Sequence, residues 1–149
     1  MKRRLAGLAT ALLIAVPGVA SAAADIALHR DPGCGCCEKW AVQVRQKFGR
    51  KVRIIDDANR AAFRHQAGVP AQLASCHTAI IDGMAFEGHV PIADMKRVLA
   101  QHPRGVRGLG VAGMPLGSPG MEVPGAKLQP FNVIAFGPAG QRVYMRHGV

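Results

Sequence analysis

Aromatic side chains are scarce in this chain, with one Trp, one Tyr and five Phe among 149 residues. Acidic residues are scarce too, nine against 19 Lys and Arg. So basic a chain raises the question of nucleic acid. Its cations, however, are scattered over Arg45, Lys47, Arg50, Lys51, Arg53, Arg60, Arg64, Lys96, Arg97, Arg104 and Arg107. No aromatics lie between them for bases to stack on. Nucleic acid is therefore excluded as a partner, and the charges read as a solvated face. Long apolar runs are also missing. Leu5 to Val16 falls short of the roughly 20 residues that a spanning helix needs, which excludes a multi-pass membrane protein.

That run reads instead as the core of a secretory signal. Lys2, Arg3 and Arg4 precede it, Pro17-Gly18 follows, and Ala20-Ser21-Ala22 supplies small residues for cleavage between positions 22 and 24. The expectation is a leader over 1–22, one domain over 23–149, a periplasmic location and no stable membrane insertion after cleavage. The leader holds three of the 19 basic residues, so the remaining 127 residues carry 16 basic against nine acidic side chains, a balance of +7.

Cysteine is sparse but concentrated. Cys34, Cys36 and Cys37 lie within four residues, and Cys76 stands alone. In an exported protein four cysteines suggest disulfides, yet bridges inside so short a cluster constrain the unfolded chain little. Crowded sulfurs serve redox exchange or soft-metal binding better. Cys34-Gly35-Cys36-Cys37 overlays a C-x-x-C on a C-x-C. The helical pattern from Glu38 to Phe48 repeats apolar residues at Trp40, Val44 and Phe48 and stops at Gly49. A short strand at Ile26-Ala27-Leu28 and the Asp31-Pro32-Gly33 turn come before. The cysteines thus sit where a strand meets a helix, and the positive helix end there favours thiolates.

Thiolates and thioethers select Cu(I), whereas zinc sites usually space their ligand pairs more widely. Adjacent Cys36 and Cys37 suit a cluster of several ions better than one tetrahedral ion. Three readings stay open: copper binding, which is favoured, dithiol exchange through Cys34 and Cys37, and a structural disulfide. His77 and His89 are candidate nitrogen donors. Strand alternation would turn His77 away from any site that Cys76 faces. Met114 and Met121 are candidate thioethers, or else gap fillers. His29 reads as a surface or supporting residue, His65, His102 and His147 as exposed, and Trp40 as core.

Beyond the cluster, Lys51–Asp56 reads as a buried strand. Asp57 caps a helix through Arg60, Phe63 and Ala67 that ends at Gly68. His77–Ile81 and Met84–Phe86 form a hairpin around Asp82-Gly83. A helix starts at Pro91 and buries Ile92, Met95 and Leu99. Pro103–Pro130, with seven glycines and five prolines in 28 residues, reads as an ordered loop without regular structure. Phe131–Phe136 and Arg142–Arg146 close the chain as a hairpin. The order predicts an α/β fold with a thioredoxin-like β-α-β-α-β-β-α core, a long Gly/Pro-rich loop and a C-terminal β-hairpin.

Several segments together resemble one family. They are Cys34–Cys37 with Trp40, Val69-Pro70, Ser75-Cys76-His77-Thr78-Ala79, Glu87-Gly88-His89-Val90-Pro91 and Gly113–Glu122. In this order they are similar to the periplasmic copper-resistance proteins called CopG. The resemblance implies a thioredoxin-like domain that binds a cluster of copper ions through Cys34, Cys36, Cys37 and Cys76. It also implies interconversion of Cu(I) and Cu(II), with copper export or chaperone proteins of the periplasm as partners. His77, His89, Met114 and Met121 lie in matching motifs without assigned roles.

Overall fold

The structure is a computed structural model that describes residues 24–148; the leader expected over 1–22 lies outside them. Seven strands form one mixed sheet. In chain order the elements are β1 (Ile26–Arg30), α1 (Gly35–Phe48), β2 (Val52–Asp56), α2 (Arg60–Gln66), a 3-10 turn (Ala71–Leu73), β3 (His77–Ile81), β4 (Met84–Glu87), α3 (Ile92–Gln101), β5 (Gly108–Gly110), β6 (Phe131–Gly137) and β7 (Gly140–His147). The sheet runs β2-β1-β3-β4-β5-β6-β7. β1 is parallel to β2 and antiparallel to β3, and β4 is parallel to β5. The architecture is mixed α/β. Among the described residues no helix is long and apolar enough to cross a membrane.

The core follows from side-chain alternation on the strands. Ile26 and Leu28 of β1, Ala79 and Ile81 of β3 and Phe86 of β4 are buried in one cluster with Trp40, Ala41 and Val44 of α1 and Met95 and Val98 of α3. Each large apolar side chain enclosed there contributes about 1.5–3 kcal/mol. Trp40 is core, as expected, and its indole N–H donates to the Val90 carbonyl at 3.1 Å. A smaller cluster of Val69, Leu73, Ala85 and Phe136 lies on the other face, since Ala85 and Phe86 are successive on β4 and point oppositely.

Four expectations need correction. β2 is an edge strand, buried only at Val52, because among the described residues no strand pairs beyond it. α3 encloses Met95 with Val98 and Asp94, while Ile92 and Leu99 pack only partly buried at the margin. The inward line is rotated toward β7, where His147 Nε2 meets Asp94 Oδ2 at 2.7 Å and the His147 ring stacks on Phe131. His147 is therefore not an ordinary exposed residue. Finally, the Gly/Pro-rich stretch does contain a strand. β5 bridges β4 and β6 and so joins the last hairpin to the sheet. Glycine suits it for packing reasons: a Cβ at Gly108 would lie 2.0 Å from the Ala85 carbonyl and 2.7 Å from the Phe136 ring.

Candidate metal centre

The cysteines meet because β1 pairs with β3. Arg30, the last residue of β1, is opposite His77, the first of β3. The chain leaving β1 toward α1 therefore runs beside the chain entering β3, and the Asp31 N–H donates to the Cys76 carbonyl at 3.0 Å. Cys34 is the N-cap residue of α1, and Cys36 and Cys37 lie in its first turn. Cys76 arrives from across this junction, 40 residues after Cys36.

All four sulfurs lie within 4.8 Å of one another. Cys34 and Cys37 are joined as a disulfide, while Cys36 and Cys76 are free. The two bridged residues are three apart at the helix start, a spacing that places side chains on one helix face. Each end of the disulfide has a free thiol beside it. Cys36 Sγ is 3.3 Å from Cys34 Sγ, and Cys76 Sγ is 3.3 Å from Cys37 Sγ. Cys36 is half-buried, whereas Cys76 is buried. Burial, reinforced by the neighbouring Cys36, pushes the Cys76 thiol up to about 12. A metal binding there must displace its proton.

The histidines form the inner wall. His89 Nε2 is 3.1 Å from Cys76 Sγ, and His89 Nδ1 is 2.8 Å from the Pro119 carbonyl. A carbonyl can only accept, so Nδ1 carries the proton and Nε2 presents its lone pair to the sulfur cluster. Metal-ligating imidazoles are usually oriented by such a bond. Burial holds His89 below its ordinary pKa against the pull of that carbonyl. His77 Nδ1 is 3.6 Å from Cys76 Sγ, and its fully buried Nε2 has no hydrogen-bond partner. Burial, then His89 and Arg60, keep His77 far below its ordinary pKa. Strand alternation does not separate the pair as expected, because Cys76 precedes β3 and its backbone has left the pleat. Cys76, His77 and His89 form a second buried three-donor group.

The long loop brings one methionine and not the other. Met114 Sδ is 4.0 Å from Cys36 Sγ. Its turn is tied to the segment before Cys76, since the Ser75 hydroxyl donates to the Gly113 carbonyl and the Gly113 N–H donates to the Ala74 carbonyl. Met121 is half-buried, and its N–H donates to the Ser118 carbonyl at 2.8 Å. Among the described residues no sulfur contact within 4.0 Å joins Met121 to the cysteines. Gly120 presses the loop onto α1. A Cβ there would lie 2.7 Å from the Cys36 carbonyl, and the φ of +86° disfavours other residues. His29 is occupied elsewhere, bonded to Asp57 at 2.8 Å and stacked on Phe63. His65 and His102 are exposed.

Sequence reasoning missed the charged frame behind the sulfurs. Arg60 is not solvated but 7% exposed. Its Nε donates to Asp31 at 2.6 Å, its Nη1 to Glu87 at 3.4 Å, and its Nη2 to the Ser75 carbonyl. Fully buried Glu87 also accepts the Ser75 N–H at 2.8 Å and the Thr78 hydroxyl. Burial raises the pKa of Glu87 against those bonds. The pair clamps both cysteine-bearing segments together. Arg30 adds a second brace, donating to Asp56, Glu38 and the Cys34 carbonyl. The only sequence signal for either brace was Glu87 inside a segment otherwise bounded by Gly and Pro.

A family model described as a protein of unknown function, DUF411, matches residues 73–121, the stretch from the 3-10 turn through Met121. No curated protein matches the chain. A solved structure of copper resistance protein CopG, form 1, is 36% identical, with a TM-score of 0.75 over 85% of this chain and 98% of that one. Its form 2 is 37% identical, with a TM-score of 0.73 over 83% and 97%. At that identity over almost the whole of the solved chains, this chain belongs to the CopG copper-resistance family.

Proposed function

We propose that this protein binds Cu(I) in a cysteine-bridged site holding more than one ion, and that it interconverts Cu(I) and Cu(II) during copper resistance in the periplasm. The observation that carries the reading is the convergence of four sulfurs within 4.8 Å, with His89 Nε2 and Met114 Sδ at their edge. Soft donors at this density suit Cu(I), and sulfurs bridging two ions let adjacent Cys36 and Cys37 both take part. Copper is cargo here, and the cysteine pair can supply its electrons. Two Cu(II) ions accept one electron each, and the Cys34 and Cys37 thiolates become the disulfide; an external dithiol then restores them. The leader over 1–22 and exchange with export or chaperone proteins belong to the same proposal. So does a thioredoxin-like fold for the β1–α3 core, supported by its β2-β1-β3-β4 order with parallel β1 and β2.

The test is metal analysis of protein purified anaerobically after copper exposure, beside a free-thiol count. Several coppers per chain, lost in Cys36→Ser and in Cys76→Ser, are expected. The Cys34–Cys37 disulfide favours one rival, a thiol–disulfide oxidoreductase. That activity would survive serine at positions 36 and 76 in a chain that binds no copper. Repeated turnover of copper between oxidation states separates the proposed role from passive carriage.

A further inference from the structure

Apart from the sulfurs, the long loop and the end of the chain enclose a cavity of about 260 Å³. Pro91, Leu116, Pro119, Leu128 and Phe131 supply apolar walls, and Gln129 and His147 supply polar groups. The walls are tied together. The Gln129 N–H donates to the Leu116 carbonyl at 3.0 Å, and the Leu116 N–H donates to the Gln129 side-chain oxygen at 2.9 Å. Leu128 packs on Gly117, where a Cβ would lie 2.7 Å from its Cδ2. Gly148 sits against Pro130, where a Cβ would lie 3.1 Å from the Pro130 Cα. An apolar cavity of about 150 Å³ takes up benzene, so this one has room for a substituted aromatic ring.

The polar groups select within that size. His147 Nε2 meets Asp94 Oδ2 at 2.7 Å. Asp94 is 2% exposed and also accepts from Arg97 at 3.3 Å. A carboxylate only accepts, so Nε2 carries the proton. In the neutral ring Nδ1 then bears a lone pair, and among the described residues no hydrogen bond reaches it. Stacking on Phe131 sets the plane of the imidazole. The Gln129 side-chain oxygen is committed to Leu116, which leaves its NH₂ group as a donor. Among the described residues no Lys, Arg, Asp or Glu lines the cavity, so no ion pair there offsets the desolvation of a charged ligand. A hydroxyl on an aromatic ring matches both polar groups, donating to His147 and accepting from Gln129 while the ring fills the apolar walls.

We infer that this cavity is a binding site for a neutral phenol-type molecule of one aromatic ring, recognised by His147 and Gln129. It is separate from the sulfur cluster and does not depend on copper. The two places touch through Pro119, which lines the cavity and whose carbonyl accepts from His89 Nδ1.

The test is titration of the whole chain with p-cresol, toluene and p-toluate, followed by calorimetry and by backbone amide chemical shifts. One p-cresol per chain is expected, bound about 5- to 10-fold tighter than toluene, as one added hydrogen bond gives. The charged p-toluate should bind more weakly than either. Shifts should concentrate at Leu116, Gly117, Phe131 and Gly148. His147→Phe keeps a ring on Phe131 and should bring p-cresol down to the level of toluene. Because that change also strips a partner from Asp94, Leu128→Trp serves as a second variant. It adds bulk at a position that is 61% exposed, and should abolish binding of both neutral probes with the fold unchanged. No saturable binding, toluene equal to p-cresol in the wild type, p-toluate bound tightest, or shifts confined to other residues each overturns the inference. So does wild-type binding by a folded Leu128→Trp or the full p-cresol preference in a folded His147→Phe.

Discussion

Cys76 and His89 stand 13 residues apart in the chain and 3.1 Å apart at the sulfur and Nε2. The contact exists because Cys76 precedes β3 and His89 follows β4, so the hairpin between them brings its two open ends together. It also fixes a tautomer, since His89 Nδ1 is committed to the Pro119 carbonyl.

Replacing His89 with Gln in the reduced protein removes that lone pair and leaves a polar group of similar reach. Cu(I) affinity is expected to fall by about 10- to 100-fold, the range found when the surroundings of a metal are altered, with secondary structure unchanged. Competition with a Cu(I) chelator reads this directly. An unaltered affinity would mean that His89 is not a ligand.

The Arg60–Glu87 pair gives a stability prediction. Arg60→Met leaves the buried Glu87 carboxylate only the more distant Arg64, 4.0 Å away, as a cation, which costs up to about 3–5 kcal/mol. Arg60→Met with Glu87→Gln should recover part of that loss, because a neutral amide needs no counter-charge. Urea midpoints of the two variants decide it. If the double variant is no better than the single one, the pair is not the clamp described here.

Gly120 is the point where the long loop touches α1. Gly120→Ala forces a Cβ onto the Cys36 carbonyl and the Trp40 N–H, in a backbone region alanine avoids. A loss of about 1–3 kcal/mol is expected, together with faster alkylation of Cys36 as the loop lifts. Wild-type stability and alkylation rate would show that the loop is not seated there.

An acid-range effect should follow from Asp57. The His29 ring, and then the Asn59 N–H, hold its carboxyl below the ordinary value. The unfolded chain therefore takes up that proton first as pH falls. The stabilisation is complete above the ordinary carboxyl value of about 4 and disappears as pH drops through the lower folded value. Thermal melts of Asp57→Asn and wild type should differ most above pH 5 and converge as pH falls below the ordinary carboxyl value. A difference that grows toward low pH would contradict this.

Much of the frame was legible locally. Trp40, Val44 and Gly49 mark α1 through their helical spacing and stop signal, and Asp82-Gly83 marks the β3–β4 turn. Both are encoded by neighbours in the chain. β5 was hidden because its glycines look like breakers, whereas Gly108 and Gly110 leave room for Phe136 and Leu73 to pack against it. Arg60 was misread as solvated because nothing in its own helix shows that Asp31, Ser75 and Glu87 converge on it. Met114 and Met121 are indistinguishable by sequence, since each follows a glycine in the same Gly/Pro-rich stretch.

The sequence by itself determined that three thiols crowd a strand-to-helix junction, because that depends only on spacing and local periodicity. It also determined, through the order of several motifs, the family to which those thiols belong. Only the tertiary structure decided which sulfurs bond and which stay free, that His77 and His89 both reach Cys76, and that Met114 alone of the two methionines comes within 4.0 Å of a cysteine sulfur. Those outcomes depend on the β1–β3 register and on where a 28-residue loop settles. Contacts between residues 13 to 78 positions apart are set by packing of the whole sheet, which no local pattern records.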